Sequence, residues 1–417
     1  MFLPQVILQR HVSRAGSHLL AFLLAAFVLS AAPNSGKAGP ALVFDTRTGE
    51  ILHSYMPFTP WHPASLTKLM TAYVTFRAIR EGRVTMDSPV RVSEHALAQP
   101  PSKMGFPVGT EISVEYALRI LMVKSANDIA VAVAESVGGS EAAFVSQMNA
   151  AARRLGMTDT HYVNPHGLHD DRQVTTARDL AVLTRALISE FPQYQRFFEI
   201  TSIQVGQAVL RNHNKLIGRF RGADGMKTGY VCASGFNIVA TATRGGRRLG
   251  AVVLGGIRST VRNEATAGLL EAAFEDGTGF SLLGRSARPT INSLRRPASI
   301  GAPVDMRPYV CQRQKAPAEY VSFGLDPQND PTGEPSRAIN PAGTALALAS
   351  ASAVELGPLA PGEKPVVAFD IPLPRPRPSE AAKSRSFKVF AKPSAPAGAA
   401  AGSTVIMVTP RAGQPMR

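Results

Sequence analysis

Ser65 and Lys68 stand three residues apart in Pro63-Ala64-Ser65-Leu66-Thr67-Lys68. Apolar residues at Leu66, Leu69, Met70, Tyr73 and Val74 follow a helical spacing, which makes Ser65 the start of a helix. Residues i and i+3 share a helix face, so the Lys68 amine can reach the Ser65 hydroxyl. A serine hydroxyl attacks a carbonyl well only when a neighbour takes its proton, and an ammonium cannot do so. Lys68 can be that base if burial or a second cation keeps its neutral form accessible. Taken alone, Ser65 reads as an ordinary helix cap and Lys68 as a solvated side chain.

Two further groups follow in order, Ser125-Ala126-Asn127 and Lys227-Thr228-Gly229. Each short pattern is weak by itself. Arg47-Thr48-Gly49, between the apolar runs 41–44 and 51–55, is a near copy of the last and reads as a hairpin turn. The joint order S-x-x-K, S-x-N, K-T-G resembles the penicillin-binding serine peptidases. The words P-A-S-L-T-K-L-M-T-A-Y and D-G-M-K-T-G-Y are most similar to the D-alanyl-D-alanine carboxypeptidases.

That resemblance implies roles. Ser65 is the nucleophile, Lys68 its base, and Ser125 the relay of a proton to the departing amine. Asn127 orients Lys68 and holds a substrate amide. Lys227 and Thr228 bind a terminal carboxylate from an edge strand, which can pair with a peptide backbone. Gly229 keeps that wall low, and Lys227 supplies the second cation near Lys68. The backbone N–H groups of Ser65 and Tyr230 form the oxyanion hole. Arg178 and Arg248 are secondary candidates for carboxylate recognition by family position, while each taken alone reads better as surface charge. The implied reaction is removal of the terminal D-alanine from peptidoglycan pentapeptide stems through an acyl-serine, without a cofactor. β-Lactam antibiotics are the implied covalent inhibitors.

Other readings share parts of this signal. A DD-endopeptidase or transpeptidase uses the same motifs. A class A β-lactamase needs a loop glutamate for deacylation, and none lies between His161 and Asp179. A wall-binding protein without activity would tolerate decayed motifs, yet every motif residue is intact. His166-Gly167-Leu168-His169-Asp170-Asp171 has the look of metal ligands. It lacks partners at metal spacing, so no metal is expected, and His166 is read as bracing a loop beside the site.

The resemblance implies an α+β fold of the β-lactamase/transpeptidase type: an antiparallel sheet flanked by helices, a helical subdomain, and the site at their junction. Element signals agree: helices over 140–155 and about 260–274, strands over 236–243 and 248–254, and a capping box at Thr176-Ala177-Arg178-Asp179. The 417 residues divide into three expected parts. Residues 1–38 read as a secretory signal with cleavage near 32–38, 39–283 as the catalytic domain, and 284–417 as a Pro/Ala-rich, mostly disordered tail. Export places Cys232 and Cys311 where a disulfide can persist, and both pairing and two free thiols stay open. The net charge of +15 is scattered rather than clustered. That argues against nucleic acid and for an anionic cell wall or membrane surface, met through the basic tail.

Overall fold

The computed structural model describes residues 39–276, 288–314 and 369–371. The expected secretory signal and most of the tail, with its expected wall contact, lie outside them.

The strands are β1 (Ala41–Asp45), β2 (Ile51–Tyr55), β3 (Pro89–Arg91), β4 (Glu111–Ser113), β5 (Ser202–Val205), β6 (Ala208–Arg211), β7 (Ala223–Val231), β8 (Gly235–Arg244), β9 (Arg247–Gly256) and β10 (Phe369–Ile371). The main helices are α1 (Thr67–Arg80), α2 (Val114–Val123), α3 (Asn127–Gly138), α4 (Glu141–Leu155), α5 (Ala177–Glu190) and α6 (Ser259–Asp276). A five-stranded antiparallel sheet in the order β2-β1-β9-β8-β7 forms the centre.

Strand side chains alternate between faces, and here each face meets a different partner. Ala41 and Val43 on β1, with Leu249, Ala251 and Val253 on β9, pack with Leu269, Leu270 and Ala273 of α6. Leu42, Phe44, Val252 and Leu254 point the other way, into the larger core that holds α1 to α5. Both faces are covered, which is the sandwich expected. β7 ends the sheet, pairing with β8 alone among the described residues.

Local signals hold at the helix ends. The hydroxyl of Ser140 accepts from Ala143 N at 3.1 Å, and Gly156 closes α4 with φ of +72°. Thr176 caps α5 by accepting from Asp179 N at 3.1 Å. The Arg47-Thr48-Gly49 copy is the β1–β2 turn, where Asp45 accepts from the N–H groups of Arg47 and Thr48. No single described helix is long and apolar enough to cross a membrane.

The boundary expected at residue 283 needs correction. Residues 288–314 return to the domain as a strap. Ile291 and Met306 are fully buried, and Ile291 N donates to Gly49 O at 2.9 Å. Cys311 forms a disulfide with Cys232. Composition counts too few apolar residues here for a core. Two buried anchors and a cross-link to an existing domain do not require one. Further on, Phe369–Ile371 runs parallel to β5.

The cross-link closes a separation of 79 residues. Its loss by reduction is expected to lower unfolding stability by about 4 kcal/mol on loop-closure grounds, seen as a lower Tm under reductant. An unchanged Tm would contradict a structural role for the strap.

Candidate active site

The sheet's free edge, the start of α1 and the start of α3 meet at one cleft of about 320 Å³. Ser65, Ser125, Asn127, Thr228, Gly229 and Tyr230 all line it, so the three sequence motifs converge.

Ser65 sits in a single 3-10 turn, Ala64–Leu66, that runs into α1. Two glycines let other backbones close on this turn. A Cβ on Gly167, whose φ is +90°, would lie 1.9 Å from Ala64 O. A Cβ on Gly229 would lie 2.9 Å from Pro63 O and 3.0 Å from Ser65 N. Gly229 therefore does more than keep the wall low. It lets β7 lie directly on the backbone at Ser65, with the Ser65 and Gly229 backbones in contact.

Lys68 is wholly buried. Its Nζ lies 3.1 Å from Ser65 Oγ, 2.8 Å from Asn127 Oδ1 and 2.7 Å from His166 O. The two carbonyl oxygens can only accept. An ammonium can donate to all three oxygens; in the neutral form, which has two N–H groups and one lone pair, hydrogens on Asn127 and His166 would leave the lone pair for the Ser65 hydroxyl. Burial, then the charge of Lys227, holds Lys68 well below the usual lysine range, against a smaller opposing effect of Asp128. Asp128 also fixes the neighbouring loop, accepting from Met104 N and Gly105 N.

Ser125 adopts φ of +61°, the left-handed region, costly for a residue with a Cβ. Its buried hydroxyl has no hydrogen-bond partner among the described residues. An unmet buried hydroxyl costs about 1–3 kcal/mol, a cost consistent with a group kept for a reacting partner. Lys227, buried on β7, donates to Thr228 O at 2.9 Å. Burial and then Arg262 lower it to about 7.

Arg178 and Arg248 do not reach the cleft. Arg178 pairs with Asp179 Oδ1 at 3.0 Å and donates to Ile291 O, pinning the strap. Arg248 pairs with Asp224 Oδ1 at 3.1 Å. The guanidinium that does line the cleft is Arg262 of α6, 3% exposed. It donates to Asn237 O at 3.2 Å and to Asn263 Oδ1 at 2.6 Å. Neither Lys227 nor Arg262 has a carboxylate partner among the described residues. No signal in the sequence marks Arg262 apart from other helical arginines. His213 also lines the cleft, lowered to about 4 by burial and then Lys227. The word Asn212-His213-Asn214 was a missed signal: both asparagines are buried and tie loop to strand, Asn214 donating to Gly225 O at 2.9 Å.

His166 braces its loop as read, its Nδ1 accepting from Leu168 N at 3.0 Å. Burial and then Lys68 lower it to about 3. The one described cluster at ligand spacing is His62, His169 and Asp171. Arg307 donates to His169 Nε2 at 2.6 Å, so that nitrogen's lone pair is engaged beside a fixed cation. None of the residues lining the cleft is an aspartate or glutamate.

Residues 28–257 match the pattern of peptidase family S11, D-alanyl-D-alanine carboxypeptidase. The chain belongs to this family. Among S11 relatives, D-alanyl-D-alanine carboxypeptidase DacD of Escherichia coli is 37% identical over 258 residues, covering 60% of this chain and 66% of that protein. The crystal structure of penicillin binding protein 6B from Escherichia coli shares 37% identity at a TM-score of 0.54, covering 57% of this chain and 78% of that one. The ampicillin-bound form of penicillin-binding protein D2 from Listeria monocytogenes shares 30% identity at a TM-score of 0.50, covering 57% of this chain and 97% of that one.

With Lys68 as the expected base for Ser65, acylation would need its neutral form, so the rate is expected to fall as pH drops through the lowered Lys68 pKa. Lys227→Gln removes the second cause of that lowering and raises the Lys68 pKa. The acid limb of acylation by an activated ester is then expected to move to higher pH. A limb that stays in place would show that Lys227 does not act on Lys68.

Proposed function

We propose that this protein is a serine-type D-Ala-D-Ala carboxypeptidase acting on peptidoglycan stem peptides. The observation that carries the reading is the cleft's charge. Lys227 and Arg262 are buried basic side chains without carboxylate partners among the described residues, beside a serine in contact with the Lys68 amine. Buried cations of this kind favour an anion, and a peptide's free C-terminal carboxylate supplies it. A substrate that ends one residue past the scissile bond is a carboxypeptidase substrate.

In the proposed reaction, Ser65 Oγ attacks the carbonyl carbon of the penultimate D-alanine while its proton passes to Lys68 Nζ. The oxyanion accepts from the N–H groups of Ser65 and Tyr230. The C–N bond then breaks. The proton on Lys68 passes by way of the Ser125 hydroxyl to the leaving nitrogen, and D-alanine departs. Water next attacks the acyl carbon and gives its proton to Lys68; the acyl C–Oγ bond breaks, that proton passes from Lys68 to Ser65 Oγ, and the shortened stem leaves as its carboxylic acid. Thr228 and Lys227 hold the terminal carboxylate, with Arg262 close behind.

A β-lactam presents a carboxylate and a strained amide to the same groups, and is proposed to acylate Ser65. The ampicillin-bound relative supports this. A carboxylate that could activate deacylating water is missing from the cleft lining, which favours a long-lived adduct over β-lactamase turnover. Family membership supports an exported enzyme, and we place it outside the cytoplasmic membrane, where its substrate lies.

Mass spectrometry of purified muropeptides after incubation with the protein tests the reading. Loss of one D-alanine from pentapeptide monomers, absent with Ser65→Ala, is the expected result. Cleavage of cross-linked dimers without that loss would replace it with an endopeptidase.

A further inference from the structure

Tyr230 lines the cleft and is 45% exposed. A side chain so open to water ordinarily exchanges between staggered positions. Here two contacts hold it. Tyr230 stands opposite Phe236 in the β7–β8 pair, and the two rings stack with centroids 4.3 Å apart. At the outer end of the ring, the hydroxyl lies 3.4 Å from Cys311 Sγ and 3.8 Å from Cys232 Sγ. A disulfide sulfur carries no hydrogen, so the phenol is the donor and the sulfurs are weak acceptors.

The local sequence explains why sulfur lies there. Tyr230 and Cys232 are two residues apart, and extended chain turns such residues to one side. Cys232 opens the three-residue turn between β7 and β8, where Ser234 N donates to Val231 O at 3.0 Å. Cys311 arrives from the strap and is bonded to Cys232. The strap has other anchors. Met306 N donates to Ala233 O at 3.0 Å, and Tyr309 and Val310 pack against the larger core. Opening the disulfide leaves those anchors in place and removes the bond that fixes both sulfurs at the phenol.

The same stretch of β7 carries chemistry. On the acyl-serine reading proposed above, on which this inference rests, the Tyr230 N–H is one of two donors to the oxyanion. Such a donor accelerates the reaction because it is fixed before charge develops. Its neighbour Gly229 lies against the backbone at Ser65, so the end of β7 and the nucleophile share one wall.

We propose that the Cys232–Cys311 disulfide is a positioning element for the reaction, holding Tyr230 so that Ser65 is acylated at full rate only while the disulfide is closed. The sulfurs touch no reacting atom. They act through the Tyr230 hydroxyl and ring on the strand that carries the Tyr230 N–H. A dithiol reductant opens the bond in two exchanges. One of its thiolates attacks a cysteine sulfur and displaces the other cysteine as a thiolate. Its second thiolate then releases the first cysteine, and the reductant leaves as a cyclic disulfide. The protein gains two electrons and two protons as two thiols.

The test is the rate of Ser65 labelling by a saturating fluorescent penicillin, on the full chain, before and after reduction by a dithiol. Reduction, or Cys232→Ser with Cys311→Ser, is expected to slow labelling about tenfold, less than the roughly 10²–10³ lost with a whole oxyanion donor. The fraction of protein finally labelled is expected to stay the same. Tyr230→Phe keeps the ring and the N–H but lacks the hydroxyl. It is expected to label slowly in both redox states, with no further fall on reduction. Full-rate labelling of the reduced protein would overturn the proposal. So would a smaller labelled fraction at an unchanged rate, which marks the disulfide as fold support alone. An undiminished fall on reduction in Tyr230→Phe would show that the disulfide does not act through the phenol. Penicillin labelling does not depend on which peptide is trimmed, so failure of the muropeptide experiment leaves this test standing. No labelling of Ser65 in the oxidised protein would overturn the acyl-serine reading and this inference together.

Discussion

A lysine taken wholly out of water governs the rest of this structure. Burying an ammonium without a carboxylate partner is among the more costly acts in folding. Burial and the charge of Lys227 hold the Lys68 pKa well below the usual lysine range, which reduces that cost, and two carbonyl oxygens receive its N–H groups. Those oxygens come from different elements, Asn127 at the head of α3 and His166 in the loop before α5. The amine therefore ties the helical side of the molecule to the nucleophile's turn, and the third direction left to it is Ser65.

Close backbone packing keeps this geometry in place. Gly167 and Gly229 both lie against the same short turn, at distances that admit no Cβ. The loop at 166–171 and the edge strand are thereby fixed relative to Ser65 by backbone contact, which cannot relax by rotamer change. Arg262 donates to Asn237 O on β8, so this buried guanidinium of the cleft is braced by the sheet. The strap adds a further tie at the far end through Cys232 and Cys311.

Much of this was legible in the residues. The Ser65, Ser125 and Lys227 motifs converge because each marks an element start or edge with its own local signal. The β1–β2 turn, the Ser140 and Thr176 caps and the strands flanking residue 245 follow from period and turn chemistry. Legibility ended where function depends on long-range placement. Arg262 could be found only once α6 was seen to start beside the cleft, whereas Arg178 and Arg248 have equal sequence credentials and are committed to Asp179 and Asp224. The strap was misjudged because composition measures whether a segment can fold alone. Ile291 and Met306 instead dock into a core already built. Lys68 itself read as base or solvated side chain until its burial was known.

The protonation state of Lys68 is the most direct measurement. With lysines 13Cε-labelled, the Lys68 signal can be assigned by its loss in Lys68→Arg and followed by NMR across pH. A neutral-amine shift retained at pH values well below the ordinary lysine pKa is the predicted result. A shift that stays that of an ammonium up to the ordinary lysine range would contradict a lone pair directed at Ser65, and with it the proposed activation of the nucleophile.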